Sequence, residues 1–140
     1  MAEFRFYTPI QVRYADLDTQ WHVNNSRYST YIEQGRFDYL QHLGLFDGVH
    51  FAALGLIVAD VHISYLAQIK LNQPVRVGVR TSRIGTKSLT LEYEIQDTAS
   101  GELLAKAETV MVAYDYEQQR TVPVSPEWRA AIEAFEGVTF

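Results

Sequence analysis

Apolar residues recur along this chain with two periods. Tyr28, Tyr31, Ile32, Gly35, Tyr39 and Leu43 stand three and four apart, the spacing that gathers side chains on one helical face. Asn24 or Asn25 supplies an N-cap oxygen ahead of that stripe, and Gly44 stands where a left-handed C-terminal cap would close it. These marks predict one helix of about 19 residues, about 29 Å long at ~1.5 Å per residue. Gly35 in its middle costs up to ~1 kcal/mol relative to Ala, which implies close backbone packing against a sheet.

Elsewhere the period is two. Phe6–Tyr14 puts Ile10, Val12 and Tyr14 on one face, and in Leu56–Tyr65 the residues Ala59, Val61, Ile63 and Tyr65 alternate with Asp60, His62 and Ser64. Val75, Val77 and Val79 alternate with Arg76, Gly78 and Arg80, and Leu89, Leu91, Tyr93 and Ile95 alternate with polar neighbours. Leu103–Tyr114 is apolar on both faces towards its end, as a central strand is. Breaks at Gly85-Thr86-Lys87 and at Thr98–Gly101 predict an antiparallel meander of the last three strands. Turns centred on Thr86 and Ser100 set Arg80 opposite Glu92 and Glu94 opposite Lys106, pairs of opposite charge that favour this register. Ser125-Pro126-Glu127 reads as an N-cap followed by Pro at the first helical position, opening a short helix to Phe135. The expected fold is α+β: a five-stranded antiparallel sheet wrapped around one long helix, with a short C-terminal helix.

Composition narrows the setting. The 140 residues suit a single domain spanning 1–140, and 47% apolar content is enough to build a core without staples. The chain has no cysteine, which excludes disulfide scaffolds, cysteine nucleophiles and thiolate metal sites and fits a reducing compartment. A net charge of −5 offers no global field for nucleic acid or an anionic membrane, so an anionic ligand needs a local basic patch. The start MAEFRFYTPI lacks the features of a signal peptide, and no apolar run approaches the ~20 residues of a membrane span. A cytoplasmic protein with no nucleic-acid or membrane partner is expected. His42, His50 and His62 lack metal-ligand spacing, so no metal is expected either.

The chemistry concentrates between Tyr14 and Tyr28. Asp16 and Asp18 close the first strand, His22 follows, and Asn24 and Asn25 start the helix. A helix N-terminus presents unpaired N–H groups and about half a positive charge, which can polarise a carbonyl and stabilise the oxyanion formed on attack. A carboxylate a few residues upstream can serve as nucleophile or general base. Together these groups suit acyl transfer or hydrolysis. Asp, Asn and Thr are equally common in loops and caps for local reasons, and spacing alone favours that structural reading.

The run Val12-Arg-Tyr-Ala-Asp-Leu-Asp18, then His22-Val-Asn-Asn25, Tyr28, Tyr31 and Glu33-Gln-Gly-Arg36, resembles the signature of hotdog-fold acyl-CoA thioesterases, in the 4-hydroxybenzoyl-CoA thioesterase-like branch. The resemblance implies a hotdog fold and hydrolysis of an acyl-CoA without metal, redox group or other cofactor. It assigns Asp18 as the catalytic acid and Asp16 as structural. It gives the amides at Val23, Asn24 and Asn25 the role of carbonyl-activating helix start, with His22 contacting substrate or bracing the loop. It also implies a homodimer or homotetramer whose site lies at the dimer interface. Hydrolysis of acyl groups on acyl carrier protein, and a non-catalytic acyl-CoA-binding hotdog module, are the alternatives. Where the family usually has Gly before the motif histidine, this chain has Trp21, which bears on the acyl pocket more than on the chemistry.

Other residues complete the expectations. Glu33 and Arg36, three apart, read as a surface or interface ion pair, with a smaller share for a catalytic Glu33. Phe37 lies opposite the apolar stripe, exposed or at an oligomer contact. Arg80, Arg83 and Lys87 crowd one hairpin; they form a solvated face with cross-strand pairs, or Arg83 and Lys87 bind the phosphates of coenzyme A.

Overall fold

The computed structural model describes residues 3–50 and 54–140. Its strands are β1 (Phe6–Ile10), β2 (Leu56–Tyr65), β3 (Val75–Ile84), β4 (Ser88–Asp97), β5 (Leu103–Asp115) and β6 (Arg120–Thr121); its helices are α1 (Asn25–His42) and α2 (Pro126–Glu136). All pairing is antiparallel, in the order β1-β3-β4-β5-β2, with β6 added beside the end of β5. The expected five strands are therefore present, and the two-residue β6 is a sixth. Arg80 stands opposite Glu92 and Glu94 opposite Lys106, the register that the charges select.

Because side chains alternate across a strand, the register defines two faces. Val77, Ile95, Ala105 and Tyr65 form one inward row, and Val79, Tyr93, Ala107 and Ile63 the next. Gly78, Glu94, Lys106 and Ser64 form the outward row between them, and Arg80, Glu92, Glu108 and His62 the next outward row. Tyr28, Tyr31, Ile32, Tyr39 and Leu40 of α1 are buried against the inward face. The Asn24 side chain caps α1 by accepting from the Ser26 N–H at 3.0 Å, and Gly44 follows at φ 76°. Helix α1 packs on β1 and β3, so the inner face of β2 is left open and Val61 is 50% exposed.

Three local expectations change. The first strand stops at Ile10 because its partner runs out: Ile10 lies opposite Val75, the first residue of β3, and Pro74 before it has no N–H to donate. The chain then forms a 3-10 turn at Tyr14–Asp16. Arg36 is not a surface residue. It is 6% exposed, donates to the Tyr93 hydroxyl at 3.3 Å and lies 3.9 Å from Glu33, which stays exposed. Phe37 is half-buried against the core, with its ring 5.8 Å from that of Phe46.

Gly35 is the point of closest approach between helix and sheet. A Cβ there would lie 2.8 Å from Val77 Cγ1 and 3.2 Å from Val79 Cγ2. Valine side chains have little freedom to move aside. Gly35→Ala should therefore destabilise the fold by about 1–3 kcal/mol, despite the ~1 kcal/mol that Ala gains in helix propensity. Chemical denaturation of the purified variant checks this; equal or greater stability would mean that α1 is not pressed onto β3.

Candidate active site

Asp16 organises the approach to α1. Its carboxylate has no solvent exposure and accepts from the Arg13 N–H at 3.0 Å, the Arg13 guanidinium at 2.9 Å and the Tyr31 hydroxyl at 2.7 Å. Its backbone carbonyl accepts from the Asn24 N–H at 2.8 Å, so the same residue holds the N-cap of the helix. Burial pushes this carboxyl up, but the hydrogen bonds from Arg13 and Tyr31 outweigh it and hold Asp16 below the usual 3.8. Burial and the Asp16 carboxylate push Tyr31 well above the ordinary phenol range.

Two residues on, Asp18 opens a tight turn. Its N–H donates to the His22 carbonyl at 2.8 Å, its carbonyl accepts from the Trp21 N–H at 3.1 Å, and its Oδ1 accepts from the Gln20 N–H at 2.8 Å. One carboxylate oxygen is thus held by the turn, and Asp18 keeps a half-buried position on the pocket wall. The turn forces Trp21 to φ 64°, the left-handed region that favours glycine. That explains physically why a glycine suits this place, and it leaves the indole 67% exposed.

Asp18, His22, Asn24, Asn25, Tyr28 and Tyr65 line a cavity of about 470 Å³. Its far wall, Tyr65 to Gln68, comes from the end of β2, which sequence reasoning did not connect to the motif. The edge-to-face pair Tyr28–Tyr65, 4.9 Å between centroids, joins the two walls. Tyr28 donates to the Ala67 carbonyl at 3.0 Å and Tyr65 to the Asn25 carbonyl at 3.3 Å.

The three amides expected at the helix start do not stand alike. The Val23 N–H donates to the Ile69 carbonyl and the Asn24 N–H to the Asp16 carbonyl, each at 2.8 Å. Neither is free to meet a ligand. The Asn25 N–H, the first of α1, has no partner among the described residues. Pocket, carboxylate and free helix N–H together can polarise a carbonyl and attack it, or direct water onto it. Among the described residues no three His, Asp or Glu side chains form a metal-binding group.

Arg83 and Lys87 lie apart from this pocket, exposed on the β3–β4 hairpin. Arg80 pairs with Glu92 at 3.0 Å, while Lys87 reaches only the Thr121 hydroxyl at 3.4 Å. The structure therefore uses Arg80 in a cross-strand pair and leaves the other two facing solvent.

Comparison with known proteins places this geometry. The model of the thioesterase-like superfamily matches residues 12–132. The long-chain acyl-CoA thioesterase FadM of Escherichia coli is 27% identical over 126 residues, covering 90% of this chain and 96% of that protein. The structure of a Thermus thermophilus thioesterase complexed with coenzyme A and Zn is 32% identical, with a TM-score of 0.87 over 100% of both chains. A predicted thioesterase from Bacillus stearothermophilus is 27% identical, with a TM-score of 0.84 over 93% of this chain and 95% of that one. These neighbours share the hotdog arrangement of sheet and long helix described above.

The buried carboxylate carries a pH dependence of stability. The folded pKa of Asp16 lies below its unfolded value of 3.8, so its contribution is complete above pH 3.8 and disappears as pH falls through the lower folded value. Asp16→Asn should cost about 1–3 kcal/mol at pH 7, because buried donors lose their charged acceptor. Melting curves from pH 7 downwards should show the gap between variant and wild type narrowing below about pH 4. A gap that stays constant with pH would rule out this ionic contribution.

Proposed function

The chain belongs to the thioesterase-like superfamily, and from that premise we propose that it hydrolyses an acyl-CoA thioester to a free acid and coenzyme A. The observation that carries this reading is the Asp18 carboxylate sharing one pocket with the unpartnered Asn25 N–H. The Asn25 amide, at the positive end of α1, hydrogen-bonds the thioester oxygen and stabilises the charge that grows on it. Asp18 attacks the carbonyl carbon to expel the thiolate and form an anhydride that water opens, or takes a proton from the attacking water. Either route consumes one water and releases acid and thiol. His22, Asn24 and Tyr28 shape the wall around the thioester. An acyl-CoA substrate is supported by the FadM relative, named for long-chain acyl-CoA, and by the Thermus neighbour bound to coenzyme A.

The sheet supports a homodimer joined along β2. β2 is an edge strand of ten residues without Pro or Lys, and Val58, Val61 and Tyr65 on it are 45–50% exposed. Soluble proteins cover such edges. Pairing with a second β2 does so and closes the open inner face.

Asp18→Asn should retain the fold and lower turnover about 10²–10⁴-fold, measured as thiol release from the best acyl-CoA. Near wild-type turnover in that variant would overturn the assignment.

Arg83 and Lys87 supply the local positive charge that an acidic protein needs for the phosphates of coenzyme A. Arg83→Ala with Lys87→Ala should raise KM for acyl-CoA about tenfold if ~1.4 kcal/mol is lost, with kcat little changed. An acyl-pantetheine lacking the nucleotide should be indifferent to the pair. Equal damage with both substrates would make these residues structural.

A further inference from the structure

Asn25, the first residue of α1, joins two peptide planes, and each plane is held separately. The plane that carries the free Asn25 N–H also carries the Asn24 carbonyl, which accepts from the Arg27 N–H at 2.8 Å. The plane that follows carries the Asn25 carbonyl and the Ser26 N–H. Its N–H donates to Asn24 Oδ1 at 3.0 Å, and its carbonyl accepts from the Tyr65 hydroxyl at 3.3 Å. A carbonyl oxygen has two lone pairs, so this bond adds to the helical one. Both planes pivot on the Asn25 Cα. Holding both fixes φ and ψ there, and with them the direction of the free N–H. Of these partners Tyr65 alone belongs to the sheet.

Tyr65 is held in place without its hydroxyl. Its backbone stands opposite Ala105 of β5, and its ring meets that of Tyr28 edge-on. The strand end beyond it is fixed as well: the Leu66 and Ala67 N–H groups donate to the Leu104 carbonyl at 3.0 and 3.1 Å, and the Ala67 carbonyl accepts from Tyr28. Tyr65 is 46% exposed, so water serves its hydroxyl as well as a carbonyl does, and the bond to Asn25 adds little to stability. Its consequence is directional. An oxyanion donor acts through its alignment, and small misplacements around a reacting centre are costly in rate.

We propose that Tyr65 is a positioning residue for thioester hydrolysis: its hydroxyl clamps the peptide plane after Asn25 and so aims the Asn25 N–H at the thioester oxygen. The inference rests on the thioesterase reading above. Tyr65 transfers no proton and forms no bond to substrate in this role. An aimed N–H gains most once negative charge has grown on the oxygen, so losing its alignment lowers kcat more than it raises KM.

Tyr65→Phe keeps the ring and removes only the hydroxyl. Its kcat for the best acyl-CoA should fall about tenfold, the equivalent of ~1.4 kcal/mol, with KM within about twofold of wild type and the melting temperature little changed. Asn24→Ala releases the same plane from its other side, so Tyr65→Phe on that background should cost clearly less than tenfold. In the ligand-free protein, backbone amide NMR relaxation should show the Asn25 order parameter falling in Tyr65→Phe from the rigid range near ~0.85. A contact between hydroxyl and substrate would not move that last readout. An unchanged kcat, a loss confined to KM, the full tenfold loss on the Asn24→Ala background, or equal Asn25 order parameters in Tyr65→Phe and wild type would each overturn the proposal. If the wild type released no thiol from any acyl-CoA, the thioesterase reading would fall, and the Asn25 order parameter would still decide the clamp.

Discussion

The site depends on one buried carboxylate. Asp16 has no contact with solvent, and its two oxygens and its backbone carbonyl gather the Arg13 backbone and guanidinium, the Tyr31 hydroxyl and the Asn24 N–H. Those partners belong to the incoming chain, the middle of α1 and its N-cap. Where the helix starts, and therefore where the Asn25 N–H stands relative to Asp18, follows from this node. A buried charge is costly unless fully hydrogen-bonded, and here the lowered pKa says that the bonds outweigh the burial. The two acids of this segment differ in their surroundings: Asp16 is saturated with donors, and Asp18 keeps a carboxylate on a cavity wall.

Much of the fold was legible because local rules and long-range pairing agree. The Asn24 cap, the Gly44 terminator and the three-four stripe mark α1 to within a residue or two. Charge pairs set the meander register, and Gly35 signalled the contact with Val77 and Val79 that the structure contains. What was not legible depends on neighbours distant in sequence. Val12 and Tyr14 alternate as a strand does, yet the strand ends where β3 has no more residues to pair. Arg36 reads as a surface cation until Tyr93, 57 residues away, supplies a buried hydroxyl.

The site divides along the same line. Asp16, Asp18, His22 and the helix start are contiguous, so a single motif shows them together. The opposite wall from Tyr65 to Gln68 reaches the pocket only through the register of β2 on β5 and carries no local mark. Backbone pairing was equally invisible: Val23 and Asn24 look like free amides in a list of residues, and only the neighbouring carbonyls of Ile69 and Asp16 show that they are occupied.

The chain's two tryptophans have a spectroscopic consequence. Trp21 projects from the strained turn beside Asp18, and Trp128 stands half-buried beside Leu56, Leu89, Ala113 and Val122 at the other end of β2. Their emission should differ in wavelength, since one indole faces water and the other faces Leu and Val side chains. Replacing Trp21 by Phe leaves the indole of Trp128 alone, and replacing Trp128 by Phe leaves the one at the turn. The native protein thus carries an unlabelled optical probe at each end of β2, so changes around the Asp18 pocket and around Trp128 can be followed separately.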